Sequence, residues 1–199
     1  MSSFEDIAIL FFLFIFGAII GSFLNVVIYR VPKKMSIVSP ASHCFRCKKR
    51  IPYKYNIPIL GYYLLNGKCA FCDHTFASRY PFVELITALL TIIVYFVFGF
   101  NTQFIVYLIL TYLLISVTFV DIDHFIIPNG FVLFGIFILA GSLFFKFVPI
   151  EWQESVSGAF VFAGFLFGIG LIGQFILKKE SIGFGDVKLG LVLGGFLGV

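Results

Sequence analysis

The sequence predicts an all-α, polytopic transmembrane protein with one small polar domain, and three observations carry that prediction. The chain of 199 residues is 60% hydrophobic and 12% charged, about half the charge of an ordinary soluble domain, and its mean hydropathy is +1.07. Apolar runs close to the roughly 20 residues that cross a bilayer as helix recur along it. Ten of the 14 Lys and Arg residues, from Arg30 to Arg79, crowd into one stretch whose only acid is Asp73.

The first apolar run covers residues 7–28. It is longer than the core of a cleavable signal and follows Glu5 and Asp6 rather than positive charge, so a retained helix is expected. Residues 31–81 are polar and carry Pro32, Pro40, Pro52, Pro58 and Pro81, which disfavours long helices there. A domain this small needs a staple. Four more apolar runs follow at 82–100, 104–120, 131–147 and 159–177. A sixth starts near Val187 and is still apolar and glycine-rich at Val199. Nothing polar closes it, so a truncated end is expected. The division is therefore a first helix (1–30), a loop domain (31–81) and a transmembrane core (82–199).

Short loops rich in Lys and Arg stay in the cytoplasm. With the Arg30–Arg79 stretch inside, alternation puts the N-terminus outside and Asp121 to Asn129 inside. Glu151 and Glu154 then fall outside, and Lys178, Lys179 and Asp186 inside. Topology and anionic lipid headgroups account for the net charge of +4, and no nucleic-acid partner is expected. Small residues recur at four-residue spacing, which lets membrane helices approach closely. Gly17 with Gly21 and Gly164 with Gly168 read as helix packing. Gly190, Gly194 and Gly198 follow directly after Asp186 and also read as positioning it.

The four cysteines form two CxxC pairs, Cys44 with Cys47 and Cys69 with Cys72. Each spacing lets both sulfurs face one ion, and four thiolates complete a closed tetrahedral zinc site. The reducing cytoplasm disfavours persistent disulfides. His43 and His74 flank the cluster and are expected to be bystanders.

Carboxylates near membrane depth tend to be functional. Asp186 sits in Gly183-Phe184-Gly185-Asp186-Val187-Lys188, at the start of the last apolar run. Asp121-Ile122-Asp123 ends another run. Two carboxyls that meet cannot both ionise, so one activates water while the other, protonated, polarises a carbonyl. Asp121 and Asp123 point about 200° apart on a helix, so only one of them faces Asp186. Periodicity leaves that choice open. Gly183 and Gly185 are expected to permit unusual backbone geometry beside the acid. Lys188 is placed to reach the interface or an anionic group.

In their order, five stretches resemble the type IV prepilin peptidases, membrane aspartic proteases of the GxGD type. They are residues 21–30 (Gly-Ser-Phe-Leu-Asn-Val-Val-Ile-Tyr-Arg), the two CxxC pairs, residues 78–84 (Ser-Arg-Tyr-Pro-Phe-Val-Glu), Asp121-Ile122-Asp123-His124 with Pro128-Asn129, and residues 183–189. The resemblance implies a multi-pass enzyme of the bacterial inner membrane with its active site facing the cytoplasm. It implies cleavage of short basic leaders from prepilins or pseudopilins, between Gly and Phe, for pili or secretion. It also implies N-methylation of the new terminus with S-adenosylmethionine. The family's catalytic aspartates carry over to Asp121 and Asp186, because family members place the first seven residues before a Pro, as Asp121 stands to Pro128. Asp123 is then at most accessory, as are Gly183, Gly185 and Lys188. For the methyl donor, Gly67, Lys68, Asn25 and Glu84 are the candidate contributors. Asn25 also reads as a bond to a neighbouring helix, and Glu84 as a snorkelling, Arg79-paired or groove-lining acid.

Two other classes compete. An ion transporter would need its acids mid-helix along a polar path, whereas these lie near one face. A non-catalytic membrane scaffold recruiting partners through the cysteine loop leaves the Gly-Phe-Gly-Asp motif without a purpose.

Overall fold

The computed structural model describes residues 4–177 and 183–199. Lys178 and Lys179, read above as an inside-facing pair, lie outside them. The described residues form seven α-helices: α1 (Phe4–Arg30), α2 (Leu60–Leu64), α3 (Arg79–Phe98), α4 (Thr102–His124), α5 (Asn129–Phe144), α6 (Trp152–Leu177) and α7 (Phe184–Leu197). One 3₁₀ turn lies at Tyr53–Tyr55. Four helices, α1, α3, α4 and α6, are long and apolar enough to cross a membrane. The chain divides into two units, Met1–Phe100 and Asn101–Val199, so α3 groups with α1 and not with the helices that follow it.

In the first unit α1 packs along α3. Both helices are apolar all round, so hydrophobicity does not mark the packed face; small and polar residues do. Leu13, Gly17, Gly21, Leu24, Asn25 and Ile28 are buried on α1, against Val83, Glu84, Thr87, Ala88 and Thr91 on α3. Any side chain at Gly17 would place its Cβ 2.7 Å from the Ala88 Cα, and one at Gly21 2.7 Å from the Glu84 Cα. The Gly17 and Gly21 pair is therefore a close backbone contact, as its spacing predicts. Thr87 and Thr91 return their hydroxyls to carbonyls one turn back, at 2.6 and 2.8 Å, so the seam holds no orphan hydroxyl. The opposite face of α1 exposes Phe11, Phe12, Ile15 and Ile19, an apolar surface suited to lipid.

In the second unit α6 packs on α7, α7 on α5, and α5 on α4. Asn101 caps α4 by accepting the Phe104 N–H at 2.8 Å. Phe125 ends α4 in the left-handed region, φ 53°. Helix α5 stops at Phe144, short of the apolar run that extends to residue 147, because Lys146 turns the chain at φ 53°. Helix α6 begins at Trp152, seven residues before the apolar run does. Glu154 in its first turn accepts the Glu151 N–H at 3.0 Å and meets the positive end of the helix dipole. Gly190 and Gly194 do lie in the α6–α7 seam, against Leu166 and Gly158 respectively. Gly164 and Gly168 do not behave as predicted. Among the described residues nothing lies within 4 Å of a Cβ at either position, so this pair packs against none of the described helices. Gly158, which belongs to no spaced pair, is the α6 glycine that α7 requires.

Candidate functional site

The first unit holds a cluster of four cysteines that could bind a metal ion and, beside it, a cavity. Each CxxC pair sits at the tip of a tight antiparallel turn, and both turns share one register. His43 bridges to Arg50 and Lys68 to Thr75, one residue before and six after the first cysteine in each case. The Cys44 N–H donates to the Lys49 carbonyl at 3.0 Å and the Cys69 N–H to that of His74 at 2.9 Å, again the same offset. This repeat was missed in the sequence, because flanking residues differ while only the bridge offsets recur. The four Sγ atoms lie within 4.8 Å of one another. Cys44 and Cys72 are 3.7 Å apart and Cys47 and Cys69 3.9 Å. A tetrahedral ion with ~2.3 Å metal–sulfur bonds sets sulfurs about 3.8 Å apart, so the four residues fit one such ion. Neither histidine joins the group among the described residues. The Cys47 backbone N–H is the main reason the Cys44 thiol falls to about 7. For Cys72 the His74 N–H pulls the same way, but burial and the neighbouring thiols outweigh it and push Cys72 up to about 12. Four thiolates do not share this space without a cation to offset them.

The cavity, about 390 Å³, is walled by both cysteine turns, α1, α2 and the start of α3. That volume suits a small-molecule ligand. All four residues predicted for the methyl-donor region line it: Asn25, Gly67, Lys68 and Glu84. So do Tyr29, Tyr55, Tyr62 and Tyr80. Asn25 and Glu84 thus stand in the first unit, apart in sequence from the acid motifs. Gly67 meets two demands at once. It has φ +69°, and a Cβ there would lie 2.8 Å from the Tyr62 hydroxyl oxygen.

Three polar side chains lining the cavity are more than nine-tenths buried: Asn25, Arg30 and Glu84. Arg30, at the end of α1, donates to the Ser36 and Pro40 carbonyls at 2.8 and 2.6 Å and folds the returning loop. Glu84 Oε2 accepts the Ile59 N–H at 2.6 Å, and the Ser22 hydroxyl donates to the same carboxylate. Ile59 has φ 63°, a strained conformation for a β-branched residue; no sequence signal marks it. Asn25 Nδ2 donates to the Tyr80 carbonyl at 3.0 Å, the inter-helix bond its sequence position suggested.

The second unit carries the acid motifs. Asp121 lies in the last turn of α4 and is half-buried; Asp123 is exposed. The Asp121 carbonyl accepts the Phe125 N–H that closes α4. Asp186 lies in the first turn of α7, where the helix dipole favours an acid. The turn after α4 meets the start of α7. A Cβ on Gly185 would lie 3.0 Å from the Ile127 Cβ, and Lys188 Nζ donates to Asn129 Oδ1 at 3.0 Å. The α4 end bearing Asp121 and the α7 end bearing Asp186 thus share one side of this unit. The two glycines act by size and not by backbone freedom, contrary to the sequence-based expectation. Gly183 has an ordinary φ of −66°, and Gly185 is not among the positive-φ residues. A Cβ on Gly183 would crowd Asp186 Oδ2 at 3.3 Å.

Comparison with known proteins divides the chain at the same place. Residues 15–98 match the family described as the bacterial peptidase A24 N-terminal domain, and residues 108–199 match the type IV leader peptidase family. A prepilin leader peptidase/N-methyltransferase of Myxococcus xanthus is 39% identical over 189 residues, covering 94% of this chain and 55% of that protein. An Escherichia coli O78:H11 protein, a type 4 prepilin-like proteins leader peptide-processing enzyme, is 33% identical over 202 residues, covering 92% of this chain and 74% of its own length. The Neisseria gonorrhoeae prepilin leader peptidase/N-methyltransferase is 35% identical over 210 residues, covering 93% and 73%. The chain therefore spans a little over half of the first relative and about three quarters of the others. No solved structure matches it.

Proposed function

This chain belongs to the type IV leader peptidase family, and from that premise we propose that it cleaves the leaders of prepilins or pseudopilins with Asp121 and Asp186 and methylates the new N-terminus. The observation that carries the cleavage reading is the meeting of the α4–α5 turn with the start of α7, through Gly185 on Ile127 and Lys188 on Asn129. Asp121 is chosen over Asp123 because it is half-buried, whereas Asp123 is exposed. The ionised carboxylate takes a proton from water as it attacks the scissile carbonyl, and the protonated one hydrogen-bonds the carbonyl oxygen. The protein is read as a multi-pass inner-membrane enzyme with this side facing the cytoplasm, where basic leaders lie. A reporter fused after Lys179 should then read cytoplasmic, and a periplasmic signal would defeat that orientation.

For the first unit, the reading is a structural zinc ion on Cys44, Cys47, Cys69 and Cys72, and S-adenosylmethionine in the cavity. The tyrosines offer ring faces suited to a sulfonium cation, and the cavity volume suits the molecule. When bound, S-adenosylmethionine supplies an electrophilic methyl group. The chain's own part is to hold donor and acceptor away from water: Arg30 and Glu84 brace the cavity wall, and Gly67 keeps Tyr62 in place. The test is cleavage of a prepilin carrying a Gly-Phe junction, in membranes, by the wild type, Asp121→Asn and Asp186→Asn. Both variants should lose at least about 10²-fold in rate. Retained cleavage in either one refutes the pair.

A further inference from the structure

Residues 31–40 leave the end of α1 and are gathered around its last residue, Arg30. The Arg30 carbonyl accepts the Lys33 and Met35 N–H groups at 3.1 and 3.0 Å. Its guanidinium donates to the Ser36 and Pro40 carbonyls at 2.8 and 2.6 Å. Between those two carbonyls, the Ser36 hydroxyl oxygen accepts the Val38 and Ser39 N–H groups, both at 3.3 Å. The loop is therefore pinned, and the tip it presents is apolar: Ile37 is 41% exposed and Val38 85%. Lys33 and Lys34, on the way to the tip, are exposed as well. Water favours polar residues at a loop tip, whereas an apolar tip beside paired cations suits a membrane interface.

Geometry sets the height of this tip. Helix α1 has 27 residues and is about 40 Å long at about 1.5 Å per residue. A bilayer has a hydrocarbon core about 30 Å thick, and measures about 40–45 Å with its headgroup layers. Glu5 and Asp6 charge one end of α1 and Arg30 the other, so each end lies in a headgroup layer. A helical side chain leans towards the helix N-terminus. The Arg30 guanidinium thus holds Ser36 and Pro40 level with the end of α1 rather than above it. The rings beside that end agree. Tyr29 in the last turn lies 4.8 Å from Phe45 between centroids, and Lys33 Nζ stands 3.4 Å over the Tyr29 ring, a pairing suited to an interface. We propose that residues 33–38 dock in the headgroup layer at which α1 ends, with Ile37 and Val38 against the upper acyl chains and Lys33 and Lys34 on anionic phosphate headgroups. The inference needs α1 to span the membrane and is independent of what the cavity holds. Arg30 and Met35 line that cavity, so the loop that meets the lipid is also one of its walls.

Fluorescence quenching tests this on the full chain in vesicles. Val38→Trp is made together with Trp152→Phe, so that position 38 carries the chain's one tryptophan. The vesicles are phosphatidylcholine, alone or mixed with phosphatidylglycerol, with acyl chains brominated close to the headgroup. The brominated lipid should remove most of the emission from position 38, and acrylamide in the water should remove little. The loss to lipid should be larger with phosphatidylglycerol present, because each lysine near an anionic surface adds to the attraction. Lys33→Gln with Lys34→Gln should cancel that difference between the two mixtures. The reporter is the same in every vesicle, so the affinity of tryptophan itself for interfaces does not create the difference. Emission that acrylamide quenches and brominated lipid does not overturns the inference. So does emission shielded from both, which would put a protein surface over the tip. Quenching by lipid that ignores phosphatidylglycerol, or a difference that survives the lysine replacements, overturns it as well, since charge then does not seat the loop. Ile37→Trp on the same background repeats the measurement one residue away if Val38→Trp does not insert.

Discussion

The two units put polar groups to use in opposite ways. In the first, polar side chains are buried and braced by backbone groups: Arg30 by the loop carbonyls of Ser36 and Pro40, Glu84 by the Ile59 N–H, and Asn25 by the Tyr80 carbonyl of α3. Its cavity walls are joined by a cysteine cluster. In the second, the acids stand at helix ends, half-buried or exposed, and their neighbourhood depends on one small residue and one long cation. The first is thus a pre-formed cavity whose frame tolerates little change. The second is a junction of helix ends whose geometry rests on how α7 seats against its neighbours. Site-directed changes should fail differently in the two.

The largest contrast should come from the acids themselves. Asp121→Asn and Asp186→Asn should remove cleavage yet leave zinc content at about one per chain and S-adenosylhomocysteine affinity unchanged, as read by metal analysis and titration. Loss of zinc in either variant would mean that the units are not separable. Next in size is the metal centre. Cys44→Ser or Cys72→Ser should release the zinc and weaken S-adenosylhomocysteine binding by about 10²-fold, because structural zinc contributes on the order of 10 kcal/mol to such loops. If the cavity keeps its affinity without metal, the cysteine turns do not brace it.

A smaller effect should come from crowding the helix junction. Gly185→Val presses on Ile127 and should slow cleavage by about 10- to 100-fold, the result of about 1–3 kcal/mol of overpacking. Lys188→Met, which removes the bond to Asn129, should lower kcat by several-fold with little change in KM. An unchanged rate in both would show that α7 is seated by α6 alone. The smallest change expected is at Gly67. Gly67→Ala must hold φ +69° beside Tyr62, which costs about 1–2 kcal/mol. It should weaken cavity ligands a few-fold while sparing zinc.

Much of this was legible in the residues. The Gly17 and Gly21 spacing marked the α1–α3 seam, because in lipid only small residues distinguish one face of an apolar helix from another. The same rule misled at Gly164 and Gly168, where spacing alone does not say which helix lies opposite. Hydropathy located α6 too late, since Trp152 to Ser155 are helical through their cap rather than through apolarity. The strained Ile59 carried no signal at all.

What the sequence determined by itself is chemistry of short range. Two CxxC spacings fit one ion, and an acid lies at the start of one apolar run and another at the end of a second, because spacing along a chain constrains atoms only a few residues apart. What only the tertiary structure decided is which distant groups answer one another. Two cysteine turns 25 residues apart share a register, Gly185 yields room to Ile127, and Asn25 turns its nitrogen to the Tyr80 carbonyl. Those outcomes follow from close packing and hydrogen-bond satisfaction across the fold, and neither has a period that can be read along a single strand of letters.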